Sequence, residues 1–226
     1  DTGTQGKGRV QLELNSEYGK EDEDGVKEKI FEFAPIVSYG LIDNIDIIFG
    51  IPYQWIKVED STIPQEFKED GLSDISFEIK WRFFEKDGLS IAIKPGISFP
   101  TGDENKGLGT GKIGYSVFLI TTKEIKPVNL HLNIGYVRNE NKLNERKDIF
   151  HLSLAGEYEA TEKLKLVANI GTETNSDSTV KTDPSFALVG FIYAFSENFS
   201  IDAGYKYGLN KPETDNTYLL GITLKF

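Results

Sequence analysis

Cysteine and methionine are both absent from the 226 residues, and histidine and tryptophan occur twice each. Without Cys there is no thiolate nucleophile, no thiolate-bound zinc or iron–sulfur cluster, and no disulfide framework. Long apolar runs are missing too. The longest stretch free of charged residues, 184–196, spans 13 residues, short of the ~18 that a membrane-crossing helix requires. Basic residues are in deficit: 25 Lys and Arg against 36 Asp and Glu leave a net charge of -11. That balance argues against nucleic acid as a partner, because phosphate contacts need a basic surface. The chain starts Asp1-Thr2-Gly3-Thr4 with no basic-then-apolar leader, so a signal peptide is expected to be absent or removed. Averaged in this way, the composition describes an acidic, soluble protein.

The pattern along the chain describes something else. Apolar residues do not recur at helical spacing, whereas alternation with a period of two is found throughout. It predicts twelve strands at 9–18, 27–40, 45–58, 72–84, 89–100, 112–122, 128–138, 147–158, 163–173, 184–195, 199–208 and 217–226. Tight turns at 41–44, 85–88, 123–127, 159–162 and 196–198 alternate with longer polar connections at 19–26, 59–71, 101–111, 139–146, 174–183 and 209–216. An up-and-down meander puts all long connections at one end and all short ones at the other, as in outer-membrane barrels.

Sorting the strands by register removes the apparent solubility. One register carries residues such as Phe31, Phe33, Ile47, Phe49, Trp55, Ile79, Trp81, Ile91, Leu130, Leu132, Ile134, Leu220 and Ile222, with most of the aromatics near strand ends. The other carries Glu13, Glu32, Asp46, Asp74, Glu78, Lys80, Arg82, Lys94, Lys112, His131, His151, Glu157, Lys165, Asp202 and Lys206. A soluble sandwich also alternates, but it does not place charges at mid-strand throughout, and no helix or second sheet remains to cover the apolar face. Terminal aromatics fit interfacial girdles, and closure removes exposed sheet edges. The expected fold is therefore all-β: a transmembrane up-and-down antiparallel β-barrel of 12 strands, one domain over 1–226. Residues 1–8 form a periplasmic or lumen-plugging segment, and the charged register lines the lumen.

Gly71-Leu72-Ser73-Asp74-Ile75, Lys80-Trp81-Arg82, the run Lys94-Pro95-Gly96-Ile97-Ser98-Phe99-Pro100-Thr101-Gly102-Asp103, Gly107-Leu108-Gly109-Thr110-Gly111 and Asn133-Ile134-Gly135-Tyr136 carry a resemblance. Together they resemble the family named for the MetA pathway of phenol degradation, which comprises Gram-negative outer-membrane barrels of transporter type. The likeness is clear over 71–136 and looser elsewhere. The terminal Phe226, after Tyr218, Leu220, Ile222 and Leu224, resembles the C-terminal assembly signal of bacterial outer-membrane proteins. The resemblance implies passive passage of small, aromatic or polar solutes and supplies no catalytic residue.

Other motifs are weaker. Gly109-Thr110-Gly111-Lys112-Ile113-Gly114 matches a dinucleotide fingerprint, but a strand follows it where a helix is required. The acidic run 21–25 misses calcium-loop spacing. His151-Leu152-Ser153 resembles the His-x-Ser pair of outer-membrane phospholipase, yet that chemistry needs a third polar group on the imidazole and a face that meets lipid. Here the pair shares the lumen register with Glu157. A His131/His151 metal pair lacks a third ligand. Lumen acids concentrate on early strands and lysines on later ones, which leaves open a transverse field or local cross-strand pairing. The expected function is an outer-membrane channel for small solutes, with no enzymatic activity, no cofactor and no metal. Its surroundings are outer-membrane lipid and lipopolysaccharide, with any protein partner unknown. The alternatives are a structural barrel that holds an envelope partner and, less favoured, a lipid hydrolase.

Overall fold

A computed structural model of the chain describes residues 1–23, 25–61 and 65–226. Fourteen strand segments follow in order: β1 (Val10–Glu23), β2 (Val26–Ile42), β3 (Ile45–Gly50), β4 (Tyr53–Asp60), β5 (Gln65–Leu72), β6 (Ile75–Lys86), β7 (Leu89–Phe99), β8 (Gly114–Ile125), β9 (Val128–Arg138), β10 (Asp148–Glu159), β11 (Leu164–Glu173), β12 (Ser185–Ser196), β13 (Phe199–Gly208) and β14 (Asn216–Lys225). One 3-10 turn, Glu104–Lys106, interrupts the β7–β8 loop. No helix among the described residues is long and apolar enough to cross a membrane.

Every pairing is antiparallel, and β1 pairs with both β2 and β14, which closes the ring. The edge of β2 away from β1 pairs first with β4, over Val26–Phe33, and then with β3. β6 pairs with β3, and β5 with β4. Hence β3 and β4 are halves of one spanning strand broken at Ile51-Pro52, and β5 and β6 are halves of the next, broken at Ser73-Asp74. Pro52 has no N–H for the ladder, but its carbonyl accepts from Ser73 N at 2.8 Å, and Ile51 N donates to Pro35 O at 3.0 Å. With these halves joined, the sheet is a closed barrel of twelve strands.

Two of the expected loops are instead strand. Among the described residues, 19–23 and 26 extend the β1–β2 hairpin, and 59–60 and 65–71 extend the β4–β5 hairpin. Beyond the lipid both faces of a hairpin meet water, so apolar alternation is no longer demanded. Backbone pairing continues there with surface ion pairs, including Lys27–Asp22 at 3.4 Å, Lys29–Glu59 at 3.7 Å and Lys57–Glu66 at 2.8 Å. Asp24 of the acidic run and residues 62–64 lie outside the described residues.

Burial is inverted relative to a soluble protein. Phe49, Trp81, Leu132, Leu154, Ile170 and Leu220 are exposed on the outside, while Asp46, Ser90, Thr122, His131 and Ser153 are buried within. Such a wall is stable only where hydrocarbon surrounds it. Aromatics gather at both ends of this apolar band. Trp81–Phe83 and Tyr193–Phe195 contacts lie at the short-turn end, with ring centroids 5.6 and 4.9 Å apart. Tyr53–Trp55, Tyr136–Phe150 and Tyr205–Tyr218 lie at the long-loop end, at 4.5, 5.4 and 5.5 Å. These are the girdles that amphipathic rings form at the two membrane interfaces. At one short turn, Asp87 and Gly88 both take positive φ, 51° and 71°, the conformation that two-residue hairpin turns require.

Candidate functional site

The inward register encloses connected polar space. A cavity of about 550 Å³ is bordered by Glu13, Glu78, Lys80, Lys94, His151 and Ser153. A second, of about 420 Å³, is bordered by Glu13, Glu157, Lys165 and Asp202. Asp1 lies between them. A third, of about 460 Å³, opens at the short-turn end beside Arg9, Glu197 and Phe226. Lys225 borders all three cavities.

Most of the charged side chains here pair locally. Glu78 bridges to Lys94 at 2.9 Å between β6 and β7, and Glu157 to Lys165 at 2.9 Å between β10 and β11. Lys206 reaches Glu213 at 2.8 Å, Arg82 reaches Glu85 at 3.2 Å, and Glu32 accepts a hydrogen bond from Gln54. Of the two arrangements left open by the sequence, local pairing describes these groups, across strands for Glu78–Lys94, Glu157–Lys165 and Glu32–Gln54 and within β6 for Arg82–Glu85. Glu13 and Asp202 make no ion pair among the described residues; the Asp202 carboxylate instead lies where a side chain on Gly221 would sit.

The histidines engage different partners. His131 Nδ1 shares a 2.9 Å hydrogen bond with Thr122 Oγ1, and its Nε2 is 3.7 Å from Glu157. His151 Nε2 is 3.2 Å from Ser153 Oγ, and its Nδ1 is 3.5 Å from Glu173, directly across the β10–β11 pair. Both His151 and Ser153 face the interior, so the requirement of lipid hydrolysis for a membrane-facing pair is not met.

Residues 1–8 enter this space. Thr2 N donates to Thr122 Oγ1 at 3.2 Å, and Thr2 Oγ1 shares a 2.5 Å hydrogen bond with Ser90 Oγ. Lys80 Nζ donates to Gly3 O at 2.7 Å. Gln5 N donates to both carboxylate oxygens of Asp46, each at 3.1 Å, and Asp46 is completely buried. Gly40 permits this approach, since a Cβ there would run into the carbonyl oxygen of Gly6. The sequence places Ser90 and Lys225 on the inward register but does not single out Thr122, which shares that register, or Thr2, for which no signal exists.

Asp74 and Lys112 belong to the long-loop mouth. Asp74 occupies the β5–β6 break and accepts from Gly102 N at 3.0 Å and from Thr110 N and Oγ1, each at 2.9 Å. Gly109 must be glycine here, because a Cβ would sit 2.3 Å from Asp74 Oδ1. The Pro-Thr-Gly-Asp and Gly-Leu-Gly-Thr-Gly elements thus fold over one carboxylate. Lys112 precedes β8 and is exposed. Replacing Asp74 by Ala leaves the Gly102 and Thr110 amides without their acceptor, a local cost of about 1–3 kcal/mol. The expected outcome is faster proteolytic cleavage within 101–111 on intact cells.

The same loop is tied to the next by Glu104 and Lys142, whose hydrogen bond holds the Glu104 carboxyl below the ordinary value of 4.5. A depressed carboxylate contributes its contact above the unfolded value and loses it as pH falls through the folded one. The tie is therefore expected to persist at pH 5 and to be released only in stronger acid, as read by protease sensitivity of the two loops across that range.

Against this geometry, the chain matches the family model described as "Putative MetA-pathway of phenol degradation" over residues 1–226. The chain belongs to that family. No curated protein matches this member by sequence. Solved structures share the family member's fold at low identity. The COG4313 outer membrane channel from Pseudomonas putida F1 is 12% identical with a TM-score of 0.74, covering 100% of this chain and 98% of that one. The NanC porin is 10% identical with a TM-score of 0.64, covering 95% and 100%. The CymD monoaromatic hydrocarbon channel is 10% identical with a TM-score of 0.53, covering 97% and 88%. This MetA-pathway family member is an outer-membrane barrel with the fold of channels and porins.

Proposed function

We propose that this barrel is a narrow outer-membrane channel for passive passage of small polar or aromatic solutes, held nearly closed by residues 1–8. The observation that carries the reading is the set of polar cavities meeting around the inserted segment and Lys225. A barrel of twelve strands lies between those filled by side chains and those with a wide aqueous bore, so one short peptide is enough to occlude it. The solute path runs past Glu13, Glu78, Lys80, Lys94, His151, Glu157, Lys165 and Asp202. Glu32 and Lys206 stand nearer the long loops, Arg82 nearer the short turns, and Asp46 and His131 act from within the wall. Asp74 and Lys112 shape the entrance and not the bore.

The family description, and the monoaromatic hydrocarbons named for the CymD channel, favour aromatic solutes of about phenol size. Locally paired charges suit this class, since they keep the wall wet without imposing the large single-sign potential that selects strongly for ions. The test is current across a planar bilayer containing the purified barrel. Small, noisy unitary currents are expected; a protein that inserts and never conducts overturns the reading.

A further inference from the structure

The pair His151 and Ser153, which in sequence lacked a third polar group, has one in the fold. Antiparallel pairing sets Glu173 of β11 directly opposite His151, with Oε2 3.5 Å from Nδ1. Pairing with β9 sets Asn133 opposite Ser153, and Asn133 Nδ2 is 3.5 Å from Ser153 Oγ. His151 Nε2 is 3.2 Å from that same oxygen. Asn133, His151 and Ser153 all border the cavity of about 550 Å³, together with Phe118, whose ring meets His151 edge-on with centroids 5.8 Å apart. Nucleophile, base and a side-chain amide donor therefore border one cavity, with the orienting carboxylate beside the base, all on three adjacent strands.

We propose that this cluster is an acyl-ester hydrolase centre for small esters that enter the lumen from the long-loop end. His151 lies close to that end of β10, so an ester reaches it before reaching the inserted residues 1–8. Ser153 Oγ adds to the ester carbonyl carbon while His151 Nε2 takes the hydroxyl proton. The carbonyl π pair moves to oxygen, which accepts a hydrogen bond from Asn133 Nδ2. Collapse breaks the bond between acyl carbon and alcohol oxygen, and His151 returns the proton to the leaving alcohol. Water then adds to the acyl-Ser153 ester with His151 again as base, releasing the carboxylic acid and restoring the serine. No oxidant or cofactor enters the balance.

Glu173 is a positioning residue: it holds the imidazole through Nδ1 with Nε2 turned toward Ser153. Its side chain is 54% exposed, so solvent screens it and its contribution is smaller than that of a buried carboxylate. The polar, confined cavity with one aromatic wall fits short acyl groups on phenol-sized alcohols and excludes long acyl chains. The centre uses the cavity but not conduction, so a barrel that passes no current can still hydrolyse, and the two readings fail separately.

The experiment uses the purified full chain in detergent, with 4-nitrophenyl acetate as substrate and a fluorophosphonate as covalent probe. The proposal expects the probe on Ser153, located by mass spectrometry, and turnover that falls about 10²-fold or more, to the level of detergent alone, in Ser153→Ala and His151→Ala. Glu173→Gln is expected to lower kcat about tenfold with KM unchanged, because a screened carboxylate orients the base without touching the ester. Heat-modifiable mobility on gels reports that each variant is folded. Absence of adduct on Ser153 in the folded wild-type barrel, or equal turnover by wild type and folded Ser153→Ala, overturns the proposal.

Discussion

Replacing Leu154 by Arg is expected to destabilise the barrel in lipid vesicles by about 2–4 kcal/mol, the cost of a guanidinium at the bilayer midplane. Leu154 lies midway along β10, faces outward with 51% exposure, and has Leu132 and Ile170 as cross-strand neighbours. The same change at Tyr158, at the short-turn edge of the apolar band, is expected to cost about 0–1 kcal/mol, because the interface supplies water and headgroups. Unfolding by denaturant, followed through Trp55 and Trp81 fluorescence, measures both. The depth dependence is the informative part. An exposed leucine on a soluble protein tolerates Arg at little cost, so equal and small effects at both positions would contradict an outward face set in hydrocarbon.

Asp46→Ala is expected to release the inserted segment. The Gln5 amide shares one proton between two carboxylate oxygens, so this is a single charge-assisted hydrogen bond, made where water does not reach. Such a bond contributes about 1.5–3 kcal/mol. With ~1.4 kcal/mol per tenfold in an equilibrium, the undocked fraction should rise about tenfold to a hundredfold. The absence of cysteine from the sequence makes the measurement clean, since an introduced Thr2→Cys is the only thiol in the protein. Thr2 is only 3% exposed, so maleimide reaches that thiol chiefly after undocking, and its labelling rate should rise by the same factor when Asp46→Ala is added. An unchanged rate would mean that Lys80, Ser90 and Thr122 hold the segment without Asp46.

The barrel was legible in sequence because lipid and lumen impose opposite demands on alternate residues. Phe49 and Asp46, or Leu154 and Ser153, differ in chemistry because they differ in face, and a period of two records that difference. The signal stops where the demand stops. In the β1–β2 and β4–β5 extensions both faces meet water, so Lys, Glu and Asp fall on both faces and strand cannot be told from loop. The two breaks were hidden for different reasons: at Ile51-Pro52 the alternation resumes in phase on either side, whereas at Ser73-Asp74 the outward face passes from even positions such as Leu72 to odd ones such as Phe77, and the short polar β5 shows too little alternation to reveal the shift. Asp74 kept the polar register and so looked like a lumen residue, although the break turns it toward the backbone amides of a loop 28 and 36 positions away.

Site chemistry was legible as an inventory and not as a set of pairs. Glu78 and Lys94, or Glu157 and Lys165, are visible as charges, but which ones meet depends on register between neighbouring strands. Glu173 illustrates the same point. It is the last residue of β11, 22 positions beyond His151, and becomes its neighbour only through the β10–β11 register. The inserted segment carried least signal of all, since Thr2, Gly3 and Gln5 offer backbone groups whose partners are fixed only once the ring has closed.

Single-channel recording of the wild-type barrel beside a chain lacking residues 1–8, in the same planar bilayers and salt, tests the central claim most directly. A lumen occluded by that peptide predicts small, flickering wild-type currents and a several-fold larger, steadier conductance after deletion. Two equally silent barrels, each inserted and folded, would contradict it.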